Sequence, residues 1–445
     1  MQISPGADPQ LNAVFSEIGV PRNKPFTPDR FQTEAVAVMA ESDCLVTAPT
    51  GSGKTWIAVQ TIRRTFERGG RAWYASPLKA LTNSKLTEFS EIFGPENVGI
   101  LTGDRKESPD APIIVGTTEI LRNQLYDAMH QGVSLNTDLV VLDEAHFLGD
   151  EERGVVWEET MIYLPPRIPL LMLSATVGNA GAIADWLTTI RGRPCRVVAE
   201  TQRPVPLYPM VLHPSGTLLP LTVKGGRGAN ALHKKVENLV GGKKQQELPR
   251  RRGLPPFGDI LRVLKAFDLL PAIFFLKSRS DCDAALNMCH RAVPLTDEKK
   301  TEIAHRVRTL TDSSPHLAQH RQRIHLEQAG VGAHHSGHLP GWKLVVERLM
   351  SEGLLTAVFA TSTVAAGVNF PARTMVFFNS DRFNGTEFIP LDATQLHQMT
   401  GRAGRRGMDK IGFGLAVPGR YMDLRLVARL LASRPGKVVS RIRIN

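Results

Sequence analysis

Short runs of apolar, largely β-branched residues recur along the chain and sort into two blocks. CLVTA, IIVGT, LVVLD, LLMLSAT and CRVVA precede residue 201, and AIFFL, AVFAT, TMVFF and FGLAV follow residue 271. Most of these runs do not alternate with polar residues, so both faces of each strand need cover, and the longer helix-like stretches between them supply it. Strands and helices in alternation build parallel α/β sheets. Two blocks predict two such sheets. Between them, PVPLYPMVLHPSGTLLPLTVKGGRGANALHKKVENLVGGKKQQELPRRRGLPPF is rich in Pro, Gly, Lys and Arg and holds no sustained periodicity, which reads as a linker or insertion. The expected division is a first α/β domain over residues 1–211, a basic linker or insertion over 212–258, a second α/β domain over 259–424, and the start of a further region over 425–445.

Charge narrows the choice of partner. Lys and Arg outnumber Asp and Glu by 54 to 43, a net charge of +11, and nine of the cations fall in residues 224–252 against only Glu237 and Glu247. A polyanion is expected, nucleic acid first; a solvated tether is the alternative for so Gly- and Lys-rich a run. The cysteines Cys44, Cys195, Cys282 and Cys289 form no C-x-x-C pair, which speaks against a disulfide framework or zinc knuckle and fits a reducing, cytoplasmic compartment. The start, MQISPGADPQ, has no basic-then-apolar signal, and LLPAIFFL is too short to cross a bilayer, so no membrane is expected. Eight of the 13 histidines lie between 290 and 338, with His316 and His320 at i, i+4. Cys282 and Cys289 do not complete a tetrahedral metal set there, and a polar helical face is the expected reading.

The first block carries a nucleotide site. CLVTAPTGSGKTWIAVQTIRRTF reads as strand, Gly-rich turn and helix, closed by Gly69 and Gly70. In such a turn Pro49, Thr50, Gly51, Ser52 and Gly53 let backbone N–H groups converge on phosphate oxygens. The helix N-terminus adds positive potential, Lys54 reaches the outer phosphates of ATP, and Thr55 coordinates Mg²⁺. Ala48 stands where the strict pattern has Gly, a variant that nucleic-acid motor ATPases use. In LVVLDEAHFLGD, Asp143 and Glu144 follow four apolar residues and so stand at the carboxyl end of a buried strand, where doubly wound sheets bind ligands. Asp143 is expected to hold Mg²⁺ through water, and Glu144 to orient and deprotonate the water attacking the γ-phosphate. Phe26 is expected to stack on a purine and Gln32 to hydrogen-bond its edge, packing and surface roles being the alternatives. At the far end of the second block, QMTGRAGRRGMD (398–409) spaces Arg402, Arg405 and Arg406 among Gly401, Gly404 and Gly407. Forked guanidinium groups match phosphate oxygens, so Arg402 and Arg405 are expected at the γ-phosphate with Gln398 near the attacking water. Arg406 is expected as a surface charge or strand contact, and a solvated basic loop is the alternative for the whole stretch.

With APTGSGKT, DEAH, SAT (174–176) and QMTGRAGR in this order, the chain resembles a superfamily 2 helicase with two RecA-like domains. SPLKALTNSK, TGD, TTEIL, FFLKSR, AHHSG and ATSTVAAGVNFPA extend the resemblance over nearly the whole chain. TTEILRNQLY, DEERGVVWEETMIYLP, GAHHSGHLPG and GRAGRRGMD are most similar to the DExH helicases of the superkiller type, which feed RNA to degradation machinery. That resemblance implies an ATP- and Mg²⁺-dependent, 3′-to-5′ RNA helicase, acting as a monomer on single-stranded or tailed RNA, with a nuclease or RNA-degradation partner. Ser362 departs from the acid often carried by RNA-directed members and reads more like the DNA-repair relatives, which keeps DNA as the alternative substrate. An ATP-gated RNA clamp that does not unwind is a further alternative. The resemblance also implies a single-strand track along Pro77, Leu78, Lys79, Asn83, Thr102, Thr117 and Thr118, continued by Ser278, Arg279, Thr361 and Thr363. Hydroxyls, amides and isolated cations bind phosphates without reading sequence, and helix capping is the alternative for each Ser or Thr. Gly367 is implied at the nucleotide. Ser174 and Thr176 are implied to couple hydrolysis to the strand near Glu144, and His146 to bridge the domains or to be a satisfied core histidine. The ending RYMDLRLVARLLASRPGKVVSRIRIN stops where such helicases continue into a winged-helix domain and a helical bundle, so a fragment or an abbreviated enzyme is expected.

Overall fold

Strands Asp43–Thr47, Ile113–Thr117, Leu170–Ser174, Ala272–Leu276, Ala357–Thr361, Thr374–Phe377 and Gly412–Ala416 are buried at every position. Two-sided burial accounts for their unbroken apolarity. Cys44 and Val46 enter one core with Tyr74, Val115, Val141 and Leu173, under Ile57, Ile62 and Phe89 of the helices on that face. Leu45 enters the other with Trp73, Ile114, Val140 and Met172, under Leu121, Trp157 and Leu187. Each such side chain contributes about 1.5–3 kcal/mol by leaving water. Cys195–Ala199 is an edge strand and is only partly buried.

The computed structural model describes residues 3–21, 25–224, 230–241, 248, 254–289, 292–312, 314–361, 372–383 and 386–440. Arg227, Lys243, Lys244 and Arg250 to Arg252 of the basic run, and the expected site residues Thr363 and Gly367, lie outside the described residues.

The chain forms two compact units, Lys24–Arg203 with Pro435–Asn445, and Met1–Asn23 with Pro204–Arg434. The first unit's sheet runs Lys106–Glu107, Val98–Leu101, Ile113–Thr117, Ala72–Ser76, Leu139–Asp143, Leu170–Ser174, Asp43–Thr47, Cys195–Ala199. All its pairs are parallel except the Val98–Leu101 and Lys106–Glu107 pair. The second unit's sheet runs Gly6–Ala7, Thr217–Pro220, Leu207–Leu212, Gly412–Ala416, Thr374–Phe377, Ala272–Leu276, Ala357–Thr361, Val331–His334. It too is parallel apart from one antiparallel pair, Leu207–Leu212 with Thr217–Pro220. Both units have the RecA-like α/β architecture.

The structure draws the division differently from the expected boundary at residue 211. Leu207–Leu212 is an inner strand of the second sheet, Thr217–Pro220 pairs with it, and Gly6–Ala7 joins that same sheet. Pro206 and Pro209 hid the strand, because a proline-broken run reads as a loop. Part of the expected insertion is likewise regular: Thr222–Lys224 pairs with Asn230–Leu232, and Lys234–Gly241 is a helix that buries Val236 and Leu239. The C-terminal residues return to the first unit, where Val438 and Asn179 exchange two hydrogen bonds of 2.7 and 2.8 Å.

One charged residue opens an otherwise apolar strand. Asp43 is wholly buried and takes Arg191 Nε at 2.7 Å, Arg193 Nε at 3.1 Å and the Leu170 N–H at 2.9 Å. Arg191 spends its remaining donors on the carbonyls of Leu164 and Ile168, each at 2.7 Å. The cluster ties two neighbouring strands and the helix Ala180–Arg191 together at the amino ends of the strands.

Candidate nucleotide and strand-binding sites

The Gly-rich turn leaves strand Asp43–Thr47 and enters helix Lys54–Glu67. Gly51 and Gly53 take φ of 80° and 83°, a left-handed turn that side chains with a Cβ resist, so the sequence needs glycine at both. Lys54 Nζ folds over the turn, donating to the carbonyls of Ala48 at 2.8 Å and Pro49 at 3.1 Å. Ala48 N–H donates to Ser174 O at 3.1 Å, which joins the turn to the SAT segment. Thr176 is half-buried two residues on. Gln32 is fully buried and braces this turn: Nε2 donates to Gly53 O at 2.9 Å and Ser52 O at 3.4 Å, and Oε1 accepts the Asp29 N–H at 2.7 Å. Its amide is thus committed to the backbone, whereas the expectation put it on a purine edge. Phe26 is 63% exposed with its ring 6.1 Å from that of Trp56, an open aromatic pair beside the turn.

Asp143 ends its strand, with Oδ2 accepting the Tyr74 hydroxyl and Oδ1 accepting the Glu144 N–H at 2.9 Å. Burial, then the neighbouring Glu144 charge, pushes the Asp143 carboxyl above the ordinary carboxylate range; Lys85, the Tyr74 hydroxyl and Lys54 pull the other way. Burial also pushes the Tyr74 phenol up. Glu144 is held at φ 58° and ψ 44°, a left-handed conformation costing a non-glycine residue about 1–3 kcal/mol. Such strain gathers at functional sites. Its Oε2 lies 3.3 Å from His146 Nδ1, so His146 contacts the expected general base within this unit. Lys85, the last residue of SPLKALTNSK and given no role there, places Nζ 3.0 Å from Thr55 Oγ1 and 2.7 Å from Glu88 Oε2. Thr55 and Asp143 offer hydroxyl and carboxylate oxygens, the hard donors that Mg²⁺ takes, and the Lys85 ammonium on Thr55 marks the place as one that attracts a cation. The residues fit the ion.

The expected strand contacts of the first unit follow the carboxyl ends of neighbouring strands. Lys79 Nζ pairs with Asp104 Oδ1 at 2.9 Å, and the same oxygen accepts the Thr102 hydroxyl at 2.9 Å. Asn83 Oδ1 accepts from Arg105 Nη1 at 3.0 Å, and Pro77 O from Arg153 Nη1 at 3.2 Å. Pro77, Leu78, Lys79, Asn83 and Thr102 therefore form one patch, to which Arg105 and Arg153 add cations that sequence reasoning missed. Thr117 and Thr118 are buried at a strand end and the first position of the next helix.

In the second unit, Ser278 Oγ accepts the Asp281 N–H at 3.0 Å, the capping alternative, while Arg279 is exposed beside it. Thr361 ends strand Ala357–Thr361 opposite Leu276. Gln398 is half-buried on helix Ala393–Thr400. Arg402 is 9% exposed, and Arg406 is exposed. Arg405 is clamped by the buried Asp409, with Nε on Oδ2 at 2.7 Å and Nη2 on Oδ1 at 3.0 Å. Asp409 also takes Arg373 Nε at 2.9 Å. Gly404, at φ 84°, lies where a Cβ would meet Val205 Cγ1 at 2.3 Å, so the loop needs glycine there.

Asp283, His335 and His338 present donor atoms within 4.8 Å of one another, yet they close a hydrogen-bond network. Gln322 Nε2 lies 2.5 Å from Asp283 Oδ1 and 2.9 Å from His338 Nε2. His335 Nδ1 accepts the Gly337 N–H at 3.2 Å, which puts its proton on Nε2 facing Asp283 at 3.2 Å. Metal ligation through Nε2 needs the opposite tautomer. Burial, then His335, lowers His338 to about 4. All four cysteines are free, and among the described residues no helix is long and apolar enough to cross a membrane.

A parallel sheet with a Gly-Lys-Thr turn on one strand and an Asp-Glu pair on another, followed by a second sheet of the same build, defines a P-loop nucleotide-binding protein with tandem RecA-like domains. Residues 29–183 match the family model described as DEAD/DEAH box helicase, and the chain carries a helicase domain of that family. It is 38% identical over 437 residues to the DExH-box ATP-dependent RNA helicase DExH15, chloroplastic, of Arabidopsis thaliana, covering 88% of this chain and 37% of that protein. It is 37% identical over 435 residues to the probable helicase HelY of Mycobacterium tuberculosis, covering 92% and 47%. To the exosome RNA helicase MTR4 of Homo sapiens it is 36% identical over 420 residues, covering 92% and 40%. The chain thus spans less than half the length of these relatives.

Proposed function

We propose that this chain is the ATPase core of an RNA helicase, hydrolysing ATP to move 3′ to 5′ along a single strand. The observation that carries the reading is the pairing of the Gly-Lys-Thr turn with Asp143 and Glu144, the latter held in strained backbone against His146. The turn's N–H groups and Lys54 would bind the phosphates, which requires Lys54 to leave the Ala48 and Pro49 carbonyls it now caps. Thr55 and Asp143 would hold Mg²⁺, which when bound neutralises charge on the phosphoryl oxygens. Glu144 orients the attacking water and takes its proton, and Asp143, joined to the Glu144 N–H, fixes where that base begins. Arg402 and Arg405 stabilise the charge that develops on the γ-phosphate, with Gln398 at the water. A guanidinium already locked by Asp409 needs little reorganisation to do so.

The patch around Lys79, Asn83 and Thr102, with Arg105 and Arg153, is the strand contact of the first unit, and Arg279, Thr361 and Thr363 are that of the second. RNA is favoured over DNA because two of the relatives named above are RNA helicases. An RNA-degrading assembly is the proposed partner, since one of them is an exosome helicase. The core acts as a monomer in a reducing, cytoplasmic compartment.

The test is steady-state ATP hydrolysis with poly-RNA, single-stranded DNA and duplex DNA in parallel. RNA is expected to stimulate most. Stronger stimulation by DNA would move the substrate to the repair class, and none by either would leave the strand assignments without support.

A further inference from the structure

Lys85 belongs to neither the Gly-rich turn nor the Asp-Glu pair, yet its ammonium stands at both. It lies on helix Lys79–Phe93 with only 6% of its side chain exposed. Lysine is almost never buried this far without a partner. Its partners are Thr55 Oγ1 at 3.0 Å and Glu88 Oε2 at 2.7 Å, both held at once. Lysine is a compact point charge on a flexible stem. It can therefore give up one of these two oxygens and keep the other without moving its helix.

The Glu88 carboxylate already holds the ammonium and can keep it, and 40% of its side chain reaches solvent. Thr55 is different. An ammonium donating to its hydroxyl takes one of two lone pairs, and a divalent ion on the other would stand next to that ammonium, where the two positive charges repel. We infer that Lys85 is a displaceable cation: its ammonium bridges Thr55 and Glu88 until Mg²⁺ enters with the nucleotide, and the ion binds by breaking the Thr55 contact and leaving the ammonium on Glu88 alone. The inference rests on the reading of Thr55 and Asp143 as Mg²⁺ ligands. It makes Lys85 a positioning residue that sets how much Mg²⁺ the site demands.

The experiment is a Mg²⁺ titration of fluorescent N-methylanthraniloyl-ADP binding to the whole chain, which reads the ion's entry without hydrolysis. Lys85→Met removes the competitor and should lower the Mg²⁺ concentration at half-saturation by about five-fold or more. Glu88→Gln removes the anion that keeps the ammonium once Thr55 is lost and should raise it, while Lys85→Arg, which keeps the charge, should stay within about two-fold of the parent. Opposite shifts from Lys85→Met and Glu88→Gln are the signature, since damage to the helix would move both the same way. An unchanged or higher Mg²⁺ demand in Lys85→Met overturns the inference, as do shifts of one sign in both variants. Should Lys85→Met not fold, Glu88→Gln decides alone, a lowered or unchanged demand counting against the idea. Thr55→Ala separates the two levels: if it leaves the Mg²⁺ dependence intact, the assignment of Thr55 as a metal ligand fails, whatever Lys85 does.

Discussion

Replacing Gln32 by alanine separates two roles that the same side chain could play. The substitution deletes the Asp29 N–H to Oε1 bond of 2.7 Å and the Nε2 bonds to Gly53 O at 2.9 Å and Ser52 O at 3.4 Å, at a position with no solvent exposure. The longest counts for little. The other two contribute about 1 kcal/mol each, and buried groups left unpaired raise the loss to about 2–4 kcal/mol. That loss divides between the stability of the first unit and the shape of the turn that must receive the phosphates. If about 1–2 kcal/mol of it falls on binding, nucleotide affinity drops about 5- to 30-fold. The assay is fluorescence titration with matched ATP and GTP analogues, run beside thermal melting. A brace acts on the turn and not on the base, so both nucleotides should weaken alike and the melting midpoint should fall. Gln32→Glu keeps the Asp29 contact but turns a carboxylate oxygen onto the Gly53 and Ser52 carbonyls in a buried place, so it should bind both nucleotides more weakly than the parent and melt below it. A loss confined to adenine nucleotides, with the midpoint unchanged, would refute the brace and restore the purine-edge role.

Glu144→Gln keeps the site's shape and loses the base, so ATP binding should persist while turnover falls about 10²–10⁴-fold in a coupled ATPase assay. Arg405→Ala should lose about 10³–10⁵ of strand-stimulated kcat at nearly unchanged ATP affinity, and Arg405→Lys should not restore it, because an ammonium cannot form the fork that Asp409 orients. Asp43→Asn leaves Arg191 and Arg193 without their anion in a buried place and should cost about 3–5 kcal/mol in chemical denaturation followed at the first unit; a loss below about 1 kcal/mol would contradict the clamp. His338 sits at about 4 in the folded chain against 6.5 for an unhindered histidine. Below pH 6.5 the unfolded chain therefore takes up a proton that the folded one refuses, until about pH 4. Stability should fall over that window, by about 1–2 kcal/mol at pH 5 from this group, and the acid-induced drop in melting temperature should be smaller in His338→Gln.

The parts legible in the sequence were those whose chemistry is local. An unbroken apolar run announces a strand covered on both faces, and the Gly-Lys-Thr turn and the Asp-Glu pair each lie within a few residues. What escaped depends on distant partners or on residues that mislead. Leu207–Leu212 carries Pro209 inside it and yet sits between two other strands of the second sheet, because its neighbours supply the ladder the proline interrupts. Gly6–Ala7 pairs with Thr217–Pro220 across some two hundred residues, which no periodicity reveals. Lys85 meets Thr55, Tyr74 meets Asp143, and Arg153 meets Pro77 only once the strands of the first sheet have assembled. Asp409 closed the reading of QMTGRAGRRGMD without being read: it is the stretch's last residue, and it anchors the arginine on which the expected role depends.

Two carboxylates show how the fold separates support from chemistry. Burial pushes Asp409 up, but hydrogen bonds and charge from Arg405, with Arg373 beside it, outweigh that and leave it below the ordinary carboxylate range. It is a satisfied anion, and its work is to hold a guanidinium still. Asp143, half-buried at the end of its strand, has weaker company: Glu144 repels it, the Tyr74 hydroxyl donates to it, and Lys85 divides its ammonium between Thr55 and Glu88. Its carboxyl accordingly stays above the ordinary range. A carboxylate so poorly compensated gains most from a further cation, and a divalent ion arriving with a nucleotide brings one. The fold thus satisfies Asp409 within one unit and leaves Asp143 in want of charge at the strand end where the phosphates would arrive. That difference turns the same residue type into a strut at one position and a candidate metal ligand at the other.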